Sequence, residues 1–236
     1  MQRKYRSSLE YVESGFRACW RNAQDLVLGS QKMIDSGLHA LALALAVLAL
    51  EELGKLSAID GLLFARHDDY KSATFDQSGR SHSRKLEILE LLPLLLLLLS
   101  RTDPRYGKEE KYNAALAISV LDLKEAGNAV RAKLQEAGFV GLDRWKQQGF
   151  YVSAGEKCFV APRDAIKPSL AKAVHRLAWR ATTTLDFLLK GGNLERYLEN
   201  ARSLRAKTTE DEHRELERRG AELAKTIFCQ PGDEVE

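Results

Sequence analysis

Three cysteines in 236 residues, Cys19, Cys158 and Cys229, lie far apart and form no Cys-x-x-Cys, so neither a disulfide framework nor a cysteine zinc site organises this chain. Such sparse thiols suit a reducing compartment. Apolar runs are present but short. Residues 38–50 and 91–99 are the greasiest, and neither approaches the ~20 residues that cross a bilayer. The first residues are basic but lead into no apolar segment of the signal-peptide kind. These absences predict a cytoplasmic protein with no membrane partner. There is also little charge imbalance: 36 basic against 33 acidic residues give +3, which permits nucleic-acid binding without arguing for it. No Gly-rich phosphate loop, His-Glu-x-x-His or nucleophile elbow occurs. Carboxylate-bridged bundles use two Glu-x-x-His motifs and this chain does not carry two, so the sequence predicts no metal site and no cofactor.

What is present is helix. Residues 38–56, LHALALALAVLALEELGKL, are apolar for thirteen residues apart from His39, then reach Glu51, Glu52 and Lys55. Leu and Ala are strong helix formers, and a helix apolar on nearly all sides belongs in the middle of a core. At roughly 100° per residue, Glu52 falls on the side of Leu45, Leu48 and Leu56. Glu51 falls nearer Ala44 and Val47, with Lys55 one turn on as its partner. A carboxylate buried at Glu52 requires a cation or donor from elsewhere. Alternatively, the two glutamates simply end the apolar run at the bundle surface.

The rest of the chain reads as helices around this one. Leu9, Val12, Phe16, Cys19, Ala23, Leu26 and Val27 recur at helical spacing over residues 7–34, in one piece or two. Asp35-Ser36-Gly37 then breaks the chain, with Ser36 as N-cap of the central helix. The central helix extends to about residue 66 and a polar loop follows over 67–80. A third helix spans about 81–100, kinked at Pro93. After the turn signal Thr102-Asp103-Pro104, a long helix covers about 108–137, with Leu116, Val120, Leu123 and Val130 among its apolar positions. The 138–162 stretch is an insert whose FYVS and CFVAP runs predict a small hairpin or two extended strands around 149–161. Helices return over 168–190 and 194–204. A densely charged final helix, 209–227, suits either packing on its own bundle or a two-fold interface. The fold class is all-α: one domain with a core bundle at about 8–137, the insert at 138–162 and C-terminal helices over 163–227.

Two clusters could carry chemistry. At the start of the third helix, His82 and Lys85 share a face with Leu86 and Leu89, so they point toward the bundle, where they can meet Glu52 or Glu51. Otherwise they are the solvated first turn of a helix. Further on, six Lys/Arg against one acid lie in residues 157–180. Lys172, Arg176 and Arg180, each four apart, form one stripe with Trp179 to its side, a pattern that can follow a phosphate backbone. Solvated basic faces look the same.

Several of these pieces, taken together, resemble the AbiV family of abortive-infection proteins, a branch of the HEPN superfamily of helical bundles. They are Asn22-Ala23, the Ala-rich run into Leu50-Glu51-Glu52-Leu53-Gly54-Lys55, then His82 with Lys85, and later Phe150-Tyr151-Val152 with Pro162. In order and spacing they cover about 22–188. The resemblance implies an HEPN-like bundle and defence against phage, in a superfamily with many metal-independent ribonucleases and frequent homodimers. It also raises a phage-encoded activator protein as a partner. The usual Arg-x4-6-His of active members is absent, since none of the five histidines has an Arg at that spacing upstream. RNA cleavage would therefore use another arrangement. His82 would be base or acid, Lys85, Arg80 or Lys55 would stabilise the phosphorane-like charge, and Glu52 would orient them. The alternative is a non-catalytic interaction protein whose polar cluster holds the bundle together or senses a partner.

Overall fold

The computed structural model describes residues 9–64, 100–101, 103–136, 142–154, 159–189 and 192–207. Helix α1 (Leu9–Asp35) is one unbroken element, and α2 (His39–Phe64) follows after a tight reversal. The reversal is a glycine C-cap. Gly37 has φ of 74°, its N–H bonds the Ile34 carbonyl at 3.0 Å, and the Leu38 N–H bonds that of Met33 at 2.8 Å. Ser36 therefore belongs to the end of α1 and is not the N-cap expected of it. The first helical bond of α2 runs from the Ala42 N–H to the Leu38 carbonyl.

Helix α2 is the buried axis that the sequence predicts. Ala42, Leu43, Ala44, Ala46, Val47, Ala49, Leu50, Leu53 and Leu56 have no exposed surface. Its small residues let neighbours approach on several sides. It runs antiparallel to α1, with Gly15 facing Ile59 and Gly29 facing Leu45, where an added Cβ would make ordinary contact at 3.4 Å. Helix α3 (Glu110–Glu136) turns Tyr112, Leu116, Leu123, Ala126, Val130 and Leu134 inward. Val120, expected among them, stands just past the edge of that stripe and is 40% exposed.

The 138–162 stretch differs from the expected insert. Its middle is a helix, α4 (Leu142–Phe150), packed on α2. The hairpin comes after it and is minimal: β1 (Ser153–Ala154) pairs antiparallel with β2 (Phe159–Val160), Ser153 opposite Val160. The aromatic and β-branched run at 150–152 reads as strand, but Phe150 ends α4. Leu142, Trp145, Lys146 and Gly149, at i, i+3, i+4 and i+7, make the face that docks on α2. Gly149 sets how closely: a Cβ there would fall 2.7 Å from the Ala40 carbonyl oxygen and 3.1 Å from the Ala44 Cβ. Gly149→Ala must push two backbones apart, and we expect a loss of about 1–3 kcal/mol in urea unfolding. A variant as stable as the parent would mean that α4 can shift freely on α2.

A one-turn helix, α5 (Pro162–Ala165), opens with proline at its first turn, where the missing N–H costs nothing. Helix α6 (Pro168–Leu189) then packs against α1, α2 and α3. Its three consecutive threonines would weaken a helix by competing for the backbone. Here Thr182, Thr183 and Thr184 each donate to the carbonyl four residues back, at 2.8 Å, which keeps every hydroxyl bonded within the helix. After Gly192 (φ 74°), α7 (Asn193–Lys207) closes on α2. The third helix expected at 81–100, apart from helical Ser100 and Arg101, and the charged helix expected at 209–227 lie outside the described residues. Among the described residues the architecture is all-α with almost no strand.

Candidate functional site

The end of α2 carries the polar groups first. Glu51 and Glu52 exchange the roles that the sequence suggests. Glu51 is the buried one, 2% exposed, and its Oε1 accepts from the Lys146 ammonium of α4 at 2.5 Å. Lys146 is equally buried and also stands 2.9 Å from the Asp143 carboxylate, one turn back on α4. Glu52 is half-buried and takes Lys55, three residues on, at 2.5 Å. The pairing of Glu51 with Lys55 is thus corrected to Glu52 with Lys55. The error came from one residue of helical phase: docking of α4 turns the Glu51 side inward. Arg80, His82 and Lys85 lie outside the described residues, so of that predicted cluster the structure joins Glu52 and Lys55.

The stripe on α6 forms a real surface feature. Lys172, Arg176 and Arg180 line one cleft of about 430 Å³, together with His175 and Trp179 of α6 and Gln31 and Ile34 of α1. That size lies within the range of small-ligand sites. Trp179 is 42% exposed, so part of its indole is available to a ligand. Arg180 is shared with Asp122 of α3 at 3.0 Å. Among the described residues no ion pair engages Lys172 or Arg176, which leaves two cations for an anionic ligand.

His175 lies at the base of the cleft, 8% exposed. The Ser30 hydroxyl donates to the Ala42 carbonyl at 2.8 Å, so its proton is committed. The His175 Nδ1, 3.1 Å from that oxygen, is then the donor, and Nε2 is left as an acceptor. Burial holds the imidazole below its ordinary pKa against the opposing pull of Asp35, so the neutral ring is favoured. One short chain of polar atoms thus links α6, α1 and α2.

A third polar cluster braces the far end of α6. Asp103, buried before α3, receives the Arg105 Nε at 3.0 Å and Nη2 at 2.7 Å, its backbone N–H at 2.9 Å, and the Asn193 amide at 2.6 Å. Asn193 also donates to the Leu188 carbonyl at 2.8 Å and pairs with Arg196. Hydrogen bonding from Arg105, foremost, holds the Asp103 carboxyl far below the usual range although burial opposes it. The Arg105 guanidinium lies 4.5 Å from the centre of the Tyr112 ring, whose hydroxyl burial pushes up to about 12. These bonds tie the turn before α3 to the end of α6 and the start of α7.

Sequence reasoning missed Lys146, His175, Gln31 and the Asp103 cluster. The helical face of α4 was a readable signal for Lys146. For His175 the signal was its position between Ala171 and Ala178 on the inner side of α6. No group of three or more His, Cys, Asp or Glu among the described residues could hold a metal ion. Nor is any described helix long and apolar enough to cross a membrane. The family model described as AbiV, of the HEPN type, matches residues 11–182. Comparison with curated proteins found no match, and comparison with solved structures found none.

Proposed function

The chain belongs to the AbiV family of HEPN-type proteins, a family of abortive infection, and from that premise we propose that it defends against phage by engaging RNA through the α1–α6 cleft. One observation carries the reading: Lys172, Arg176 and Arg180 line a single cleft beside an exposed indole, and two of the three cations are unengaged by acids among the described residues. Cations that follow a phosphate backbone release counterions on binding, so affinity must fall with salt, at a slope of about −0.7 per phosphate contact for single strands.

The test is titration of labelled single-stranded RNA at several salt concentrations. Lys172→Glu with Arg176→Glu should weaken binding at least ~10-fold and flatten the salt slope by ~1 or more. The same double variant should lose phage protection in cells. Unchanged RNA affinity would remove the cleft from the reading.

The catalytic extension of this proposal uses His82 as base or acid, Lys85, Arg80 and Lys55 as phosphate-stabilising cations, and Glu52 as the orienting group. It calls for RNA cleavage that persists in EDTA. A second reading, a non-catalytic interaction protein, has one observation in its favour: the Glu51–Lys146 pair is sealed between α2 and α4 and serves packing. Phage protection by a protein that cleaves no RNA would select it. We further propose a homodimer and a phage-encoded activator protein as partners; light scattering tests the first and co-purification from infected cells the second.

A further inference from the structure

The cleft has features that a plain phosphate track does not need. A basic stripe alone binds any nucleic-acid backbone. Here the stripe borders a concavity of about 430 Å³ with Ile34 and the Trp179 indole in its wall and the His175 ring at its base. Flat apolar surface beside cations suits a ligand with a planar ring and a phosphate. An acidic peptide would use the cations and leave the indole idle. A duplex would keep its bases stacked and present backbone.

We propose that the cleft seats one unpaired nucleotide, its base against the Trp179 indole, its phosphate on Lys172 and Arg176, and a base N–H donated to His175 Nε2. Lys172 and Arg176 are one turn apart on α6, about 6 Å along the axis, and Trp179 follows less than a turn later, so phosphate and base contacts fall in chain order. The Ser30 bond fixes the His175 tautomer that presents an acceptor. Bases that expose an amino group at that position are favoured over those that expose a carbonyl. The inference rests on the RNA reading for its source of nucleotide, but the pocket would accept a free nucleoside phosphate by the same chemistry.

The experiment uses the full chain and three probes: a ten-nucleotide single-stranded RNA, the same sequence as a duplex, and adenosine monophosphate. Stacking of a base on an aromatic ring accounts for about 5- to 150-fold in affinity. Trp179→Ala should lose that much on the single strand and little on the duplex, Trp179→Phe should recover most of it, and melting temperatures should match the parent. Adenosine monophosphate should compete with the single strand on the parent protein and fail to bind Trp179→Ala. Binding of the strand without competition by the mononucleotide, but still dependent on Trp179, supports a pocket fed by RNA alone. Full single-strand affinity in Trp179→Ala, with loss only in Lys172→Glu/Arg176→Glu, overturns the pocket and leaves the RNA reading standing. Mononucleotide binding that depends on Trp179, without RNA binding, keeps the pocket and removes RNA as its source. Binding of no probe overturns both.

Discussion

Lys146→Met is expected to destabilise the protein by about 3–5 kcal/mol, the usual cost of removing one partner from a buried ion pair. Glu51 is 2% exposed under α4, and it cannot move its carboxylate to water without unseating that helix. Glu51→Gln should cost less, because Lys146 keeps Asp143 at 2.9 Å as a counter-ion. This asymmetry distinguishes the two partners. The double variant Glu51→Leu with Lys146→Met should recover to within about 1.5 kcal/mol of the parent, since replacing a buried pair by apolar groups of similar volume is often neutral. Urea unfolding of the four proteins measures all of this. If Lys146→Met unfolds at the parent's midpoint, the pair does not hold α4 on α2.

Asp103→Ala is expected to cost about 3 kcal/mol. It removes an acceptor used by Arg105 and by the fully buried Asn193, and hydrogen bonds to charged groups contribute about 1.5–3 kcal/mol. Arg105 can return to water, whereas Asn193 is fully buried and cannot. The pH dependence has a definite sign. The carboxyl is held below its unfolded value, so its stabilisation is fully present above about pH 4 and is lost as pH falls toward the folded value. Asp103→Asn should therefore lower stability at neutral pH and flatten the acid limb between about pH 4 and 2. An acid limb as steep as the parent's would assign the loss to other carboxylates.

The central helix was legible because Leu and Ala without a polar face allow only one location. The basic stripe was equally plain, since four-residue spacing needs no partner to be recognised. The environment of the charges was less accessible. Whether Glu51 or Glu52 turns inward depends on which side of α2 receives α4, and α4 itself was hidden by β-favouring residues at its end. Nine residues with one apolar face are too short to outweigh the aromatic and β-branched run that follows. His175 was invisible for a different reason: its role depends on Ser30, 145 residues earlier, and on a carbonyl of a third helix. The membership and all-α class could be read from scattered motifs because these fix helix order, which a sequence preserves, and not contact geometry.

The reversal at Gly37 has a consequence for how the protein comes off the ribosome. Helices α1 and α2 are neighbours in the chain, and a loop so short costs little entropy to close. They can pair as soon as both have emerged. The cleft is different, because Gln31 and Ile34 form its wall only when α6 arrives, after well over a hundred further residues have been made. A nascent chain can thus pair α1 with α2 before the α1–α6 cleft exists. The cleft is complete only once synthesis has passed residue 180.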